Sequence, residues 1–300
     1  MRILTLIAGL FLTLPVFAMN LQVVTRKNLR FSNPNLQITA RASETFEIDS
    51  SAPEYEALVK ESALKVIALL PEQYQTGNLT INIESSGTFI DPTGFEENIP
   101  LSVLLSVEMP EVNQIRICNH ELKTDLISTR SLVSHEVGHV IISRLWDASG
   151  KIEHGDWAWK KSIYEGVADY IAATATNQTS GGTNWWDRDV LRYKSFEEAN
   201  KQTLLATVEA VKAAYAKDGL LKFRSYQNLI SSLEAELSEL PTPPADSNAI
   251  GSWLAGQLWL LNQEYGKDKV LSAVFKIALT GDKKSDPQAF VEEVRNLLTR

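Results

Sequence analysis

The stretch His135-Glu136-Val137-Gly138-His139 contains the residues whose types and spacing point most directly to chemistry. Residues four apart on an α-helix lie one above the other, so a helix here would direct both imidazoles at one point. Two neutral imidazoles at that separation supply half of a tetrahedral zinc site. Glu136 is rotated by about 100° from His135, so its carboxylate can reach a water on the metal without binding the metal itself. We therefore predict His135 and His139 as metal ligands and Glu136 as a general base.

A third ligand is required, because a His-Glu-x-x-His pattern can also arise by chance. The metzincin extension of the motif needs a glycine three residues and a histidine six residues after the second His, but Ile142 and Leu145 stand there. Another extension takes a glutamate from a second helix downstream, and Glu165 follows His139 by 26 residues. Asp169 lies four residues further on the same helical face. Glu165 can therefore bind the metal while Asp169 accepts a hydrogen bond from the outer nitrogen of a ligand His.

The segments His135–His139 and Glu165–Asp169 together resemble the gluzincin group of zincin metallopeptidases, which includes thermolysin and the zinc aminopeptidases. The resemblance is close over about 40 residues. It extends loosely back to a strand at Ile115–Cys118, which would lie at the sheet edge above the cleft. It implies one zinc ion per chain, a peptide or protein substrate, an active-site helix backed by a small mixed sheet, and a helical C-terminal lobe.

The resemblance leaves the oxyanion-stabilising residue open. Gluzincins usually supply a Tyr or His from the C-terminal lobe to hold the oxyanion of the tetrahedral intermediate. Residues 253–266 resemble the aminopeptidase helix that carries this tyrosine, but the matching place holds Trp253, whose indole N–H can donate a hydrogen bond. Tyr226 and His154, the latter in the loop between the two motif helices, are the other candidates. Trp and Tyr on apolar helices are more often core residues, so the sequence does not choose among the three.

Residues 1–18 have the pattern of a secretory signal peptide. Arg2 provides a basic start, an apolar run reaches Phe17, and Val16 and Ala18 are the small residues before the expected cleavage. No later apolar run is long enough to cross a bilayer, so the mature chain should have no transmembrane segment. We therefore expect export to the periplasm or the extracellular medium.

The charge and cysteine content of the chain limit which kinds of partner and cross-link are expected. The chain has 29 basic and 37 acidic residues, a net charge of −8, spread along its length, which gives no electrostatic footprint for nucleic acid. Cys118 is the only cysteine, so no intrachain disulfide can form. Packing, with a bound metal, must therefore stabilise the exported fold.

Periodicity divides the chain into a mixed part and a helical part. Alternating residues predict short strands in the first part, with one helix from Pro53 to Leu70 and a Gly- and Pro-containing loop from Ser85 to Pro100. Ser128 or Thr129 can cap the motif helix. The predicted strands are in 21–48, 79–83, 101–107 and 112–118, and the helices after the motif helix are at 162–175, 196–217, 226–240, 250–265, 269–279 and 287–298.

These patterns predict an α+β class with a zincin-like fold. Residues 19–147 would form a mixed α/β lobe that ends in the active-site helix, and residues 148–300 would form a helical lobe that supplies the third zinc ligand.

The predicted function is a secreted zinc metallopeptidase, in which a zinc-bound water attacks the peptide bond with Glu136 as general base. One alternative is a zinc-binding structural or interaction module without peptidase activity. The ligand set argues against it, because a purely structural zinc site prefers four protein ligands. A second alternative is an amidase acting on cell-wall peptides, which the same residues could serve.

Overall fold

The computed structural model describes residues 19–27, 29–31, 47–48, 53–75, 77–84, 86–90, 93–100, 107–109, 114–118, 126–148, 157–180, 189–217, 219–238, 245–280 and 286–300. The predicted signal peptide lies outside them. The strands are β1 (Asn20–Lys27), β2 (Leu29–Phe31), β3 (Glu47–Ile48), β4 (Asn78–Glu84), β5 (Ser86–Ile90), β6 (Glu96–Pro100), β7 (Val107–Met109) and β8 (Gln114–Cys118). The helices are α1 (Pro53–Ile67), α2 (Leu126–Ala148), α3 (Trp157–Thr176), α4 (Phe196–Asn200), α5 (Leu204–Lys217), α6 (Arg224–Ser238), α7 (Ser247–Tyr265), α8 (Lys267–Thr280) and α9 (Pro287–Thr299). Strands with one helix therefore precede a helical part, as expected for an α+β class.

The larger sheet has the strand order β3-β1-β4-β8-β7. Strands β1, β4 and β8 are parallel, and the two outer strands pair antiparallel to them. The prediction that the Ile115–Cys118 strand lies at the sheet edge is wrong, because β8 has β4 on one side and β7 on the other. The three residues of β7 take the edge instead, and so short a strand carries little sequence signal.

A smaller sheet, in the order β2-β5-β6, continues the larger one. Residue 20 of β1 pairs with residue 78 of β4, and residue 29 of β2 pairs with residue 87 of β5. Paired residues are 58 positions apart in both cases, so the two sheets have the same register. The prediction of a loop at Ser85–Pro100 is wrong, since β5 and β6 form an antiparallel pair there. Gly94 adopts a positive φ of 84° before β6, and Pro100 lies on an edge strand, where its missing N–H is tolerated.

The predicted helix at Phe196–Lys217 is in fact two helices, α4 and α5. Between them Thr203 forms an isolated bridge with Ala245, and the backbone oxygen of Gln202 accepts a hydrogen bond from the N–H of Asp246. The Thr203 hydroxyl then accepts from the N–H of Ala206 at 3.3 Å, as an N-cap does. Pairing with a distant segment therefore overrides the local helical periodicity.

Two predicted helix starts have different outcomes. Helix α2 begins at Leu126, before the proposed caps Ser128 and Thr129, and Thr129 is fully buried inside the helix. Helix α9 begins at Pro287, as predicted, and Asp286 caps it, since its side chain accepts from the N–H of Gln288 at 2.8 Å.

One hydrophobic cluster joins the sheet to most of the helices. It contains buried residues of β4, β8, α1, α2, α3, α7, α8 and α9. Between α3 and α7, the buried Tyr170 hydroxyl donates to Oδ1 of Asn262 at 2.6 Å. Burial raises the pKa of Tyr170, so its hydroxyl stays protonated as a donor. A second cluster lies under α5 and α6 and contains Val208, Val211, Tyr215, Leu220, Tyr226, Leu229, Ile230 and Leu237.

Arg144 fastens the end of α2 to the sheet. Its Nη2 donates to the backbone oxygen of Asn78, the first residue of β4, at 2.7 Å, and its Nη1 lies 3.4 Å from Sδ of Met19. This charged hydrogen bond holds the C-terminal end of α2 against the start of β4. None of the helices that the structure describes is long and apolar enough to cross a membrane.

Glycines allow α3 to pack closely between α2 and α7. A Cβ on Gly138 of α2 would lie 3.1 Å from Cα of Ala168. A Cβ on Gly251 of α7 would lie 2.9 Å from the backbone nitrogen of Gly166 and 3.0 Å from Cβ of Glu165. Backbone atoms cannot rotate out of the way, so side chains at these positions would push the helices apart.

Gly251→Ala should therefore destabilise the protein and weaken metal binding. Alanine gains about 1 kcal/mol over glycine in helix propensity, but overpacking against backbone costs roughly 1–3 kcal/mol and displaces Glu165. Denaturant unfolding and a zinc titration would measure the two effects, with the exposed Gln263→Ala on the same helix as control. Equal or greater stability of Gly251→Ala, with unchanged zinc affinity, would contradict the close crossing.

Candidate metal centre

Helix α2 places the motif residues in the interior of the molecule. Every residue from Val133 to Ile142 is buried, including His135 at 2% exposure and His139 at 3%. The helix packs on α1, α3 and α8 and lies against β7 and β8. A helix that is buried all round has no solvated face for polar side chains, so its two imidazoles must be satisfied inside the protein.

Three predicted ligands converge at the contact between α2 and α3. Nε2 of His135 lies 3.4 Å from Oε2 of Glu165, and Nε2 of His139 lies 3.7 Å from the same oxygen. One ligand atom from each of the three residues falls within 4.8 Å of the others. In the part of the chain that the structure describes, this is the group of histidines and carboxylates that could hold a metal ion.

The spacing of the three atoms fits a metal ion. Metal–ligand bonds of about 2.0–2.1 Å in a tetrahedral site put neighbouring ligand atoms about 3.3–3.4 Å apart. The two measured separations from Glu165 are close to this value and exceed the usual hydrogen-bond length of about 2.7–3.2 Å. Two neutral imidazoles and one carboxylate are also a donor set that divalent zinc prefers. The residues present therefore fit a divalent cation.

Asp169 orients the first imidazole. Its Oδ1 lies 2.8 Å from Nδ1 of His135, and both side chains are 3% exposed. The contact places the ring proton on Nδ1 and leaves Nε2 with its lone pair toward Glu165. The one-turn spacing of Glu165 and Asp169 on α3 thus places two carboxylates near opposite nitrogens of one ring.

His139 is held differently, through a residue that the sequence analysis missed. Its ring stacks on the ring of Tyr164 with a centroid distance of 4.3 Å and an interplanar angle of 23°. Among the described residues, Nδ1 of His139 has no hydrogen-bond partner although it is buried. Tyr164 directly precedes Glu165 in α3, and that adjacency was the available signal.

Glu136 is 6% exposed and follows His135 on α2. It is not one of the three converging ligands. Its role as a general base stays a prediction.

The candidates for an oxyanion-stabilising residue lie in different places. Trp253 of α7 is 7% exposed, belongs to the main hydrophobic cluster and makes an edge contact with Phe196 at 5.2 Å. Tyr226 is fully buried in the second cluster, where its ring makes an edge contact with Tyr215 at 4.9 Å. These environments are those of core residues. His154 lies outside the described residues.

A small open cleft adjoins the His135–Asp169 pair, and both residues form part of its wall. The sequence does not indicate this cleft, because four of its nine lining residues belong to the segment after α3. The cleft is lined by Ser131, His135, Asp169, Ala172, Ala173, Gln178, Thr179, Ser180 and Val190.

Comparison of the chain with protein-family models, with characterised proteins and with solved structures found no match. The candidate metal centre therefore rests on its own geometry and residue chemistry.

Asp169→Asn should weaken zinc binding by about 10–100-fold while the fold is kept, because an amide no longer fixes the tautomer and basicity of His135. Chelator competition would measure the affinity, and circular dichroism would check the fold. Asp268→Asn, an exposed residue of α8, is the matched control. An Asp169→Asn protein with wild-type zinc affinity would show that Asp169 has no part in the metal centre.

Proposed function

We propose that the protein is a secreted zinc metallopeptidase with a zincin-like fold and a gluzincin-type ligand set. The observation that carries the proposal is the convergence of His135, His139 and Glu165 with a fourth residue, Asp169, fixing the tautomer of the first ligand. Three protein ligands leave one position of a tetrahedral site for substrate or water, which is the pattern of catalytic zinc. Structural zinc sites instead use four protein ligands.

The charges of the site favour a divalent cation. Glu165 is 12% exposed and Asp169 is 3% exposed, and both face the same imidazole. Burying two carboxylates together is costly unless positive charge accompanies them. When bound, zinc would polarise a carbonyl oxygen and acidify water.

Glu136 is the residue that would move the proton. It would take a proton from the attacking water and pass it to the amine that leaves when the peptide bond breaks. Its position one residue after His135 puts it beside the ligands while leaving all three ligand atoms to other residues. Burial of the α2 helix around it would exclude bulk water, which strengthens electrostatic interactions at the site.

The proposal includes export and a peptide or protein substrate. The N-terminal pattern of residues 1–18 supports export, and the acidic composition without a basic patch gives no support for nucleic acid as a partner. The resemblance of the two motif segments to gluzincins supports peptide-bond hydrolysis. The same residues could also serve an amidase of cell-wall peptides, so the substrate test includes both classes.

Glu136→Gln should lower peptide hydrolysis by at least about a hundredfold, because general-base assistance is worth about 10²–10⁴ in rate, or roughly 3–5 kcal/mol of barrier. The substitution keeps the shape of the side chain and leaves the three ligands in place. Zinc content and thermal stability should therefore stay near those of the wild type.

Activity would be measured on a broad peptide library, on unfolded protein and on muropeptides, with the exposed Glu197→Gln as control. Cleavage of muropeptides alone would favour the amidase. If wild type and Glu136→Gln hydrolyse every substrate equally, or neither hydrolyses any, the peptidase proposal fails and a zinc-binding module is the better account.

A further inference from the structure

Tyr164 lies in a stack of three rings that begins at a predicted metal ligand. One face of its ring packs on His139 at a centroid distance of 4.3 Å, and its ring also stacks with Trp146 at 5.5 Å with an interplanar angle of 29°. His139 and Trp146 are seven residues apart on α2, which is two helical turns, so both rings project from the same side of the helix. The ring of Tyr164, from α3, packs against both of these rings.

The tyrosine hydroxyl is fixed to α2 by hydrogen bonds. Its oxygen lies 2.8 Å from Oγ of Ser143, and the hydroxyl also lies 3.3 Å from the backbone oxygen of His139, to which it can donate. Ser143 is one turn after His139 on the same helix. The ring of Tyr164 is therefore held at its hydroxyl and through its stacking contacts, and cannot move away from His139 without breaking them.

The two histidine ligands differ in what determines their orientation. Nδ1 of His135 is held by Asp169 at 2.8 Å. Nδ1 of His139 is buried and has no hydrogen-bond partner within the described ranges of the chain. A ligating histidine normally has its ring plane set by a hydrogen bond to the nitrogen that does not bind the metal. The His139 ring has two ring neighbours at 4.3 Å, His135 edge-on at 84° and Tyr164 stacked at 23°. Because the stacked ring lies nearly parallel to it, Tyr164 is the neighbour that can set the plane of His139.

We propose that Tyr164 is a positioning residue for the metal centre, and that it directs Nε2 of His139 toward Glu165 by stacking. Offset-stacked rings attract each other and resist rotation out of the shared plane. Tyr164 and Glu165 are consecutive in α3. The same turn of that helix therefore supplies the third ligand, Glu165, and the ring that orients the second ligand, His139. The inference rests on the ligand set of the proposed function and not on peptide hydrolysis.

The test compares zinc affinities of full-length mature protein by competition with a chromophoric chelator. Tyr164→Phe keeps the ring and loses the hydroxyl, and should bind zinc within about threefold of the wild type. Tyr164→Leu loses the ring and should bind about 10–100-fold more weakly. Tyr170→Leu is the control, because it removes a second tyrosine of α3, one that is fully buried and whose hydroxyl bonds to Asn262, and it should keep wild-type affinity in its folded fraction.

Three results would overturn the inference. Wild-type affinity in Tyr164→Leu would show that stacking does not position His139. Equal weakening in Tyr164→Leu and Tyr170→Leu would assign the effect to general loss of packing, and equal weakening in Tyr164→Phe would assign it to the hydroxyl. If Tyr164→Leu does not fold, Tyr164→Met fills more of the volume without a ring and is judged by the same outcomes.

If the proposed ligands do not bind zinc, the experiment gives a result that differs from the three above. A wild-type protein that binds no zinc would remove the role proposed for Tyr164 together with the metal centre. Zinc binding by the wild type with no hydrolysis would leave the role of Tyr164 intact and remove only the peptidase.

Discussion

The close approach of α3 to α2 is the interaction on which the metal centre depends. Gly138 lies between the two motif histidines and permits contact with Ala168, where a Cβ would be only 3.1 Å from the Cα of that residue. On the opposite side of α3, Gly166 and Gly251 allow α7 to pack against α3 at a similarly short distance. With α3 held between these helices, Glu165 comes within 3.4 and 3.7 Å of the two imidazole nitrogens. Helix packing thus brings the segments His135–His139 and Glu165–Asp169 together in one site.

Burial gives that site its chemical character. His135, His139 and Asp169 are each about as buried as the surrounding valines and isoleucines, so their charges and hydrogen bonds have little help from water. Low exposure makes each contact stronger and each missing contact more costly. A divalent cation among the three ligands would satisfy imidazole lone pairs and a carboxylate at once, which is why a metal explains this arrangement better than a set of hydrogen bonds does.

The sequence could indicate the candidate ligands because the geometry within each pair is local. His135 and His139, like Glu165 and Asp169, are related by one helical turn, and helical periodicity is readable without tertiary structure. The contacts that the sequence analysis missed depend on how elements pair and pack. Tyr164 stacks on a residue of another helix, β5 and β6 pair across a turn with glycine and proline signals, and Thr203 leaves the helix to pair with Ala245. In the last two cases, backbone pairing overrode the local sequence pattern.

The central claim is that one metal ion is held by three side chains at the crossing of α2 and α3. The most direct measurement is an anomalous-scattering map, recorded at the zinc absorption edge, from crystals of zinc-loaded protein. The account predicts a single peak about 2.0–2.2 Å from Nε2 of His135, Nε2 of His139 and a carboxylate oxygen of Glu165, with Asp169 still on Nδ1 of His135. A peak elsewhere, no peak at this crossing, or a fourth protein side chain bound to the metal would contradict it.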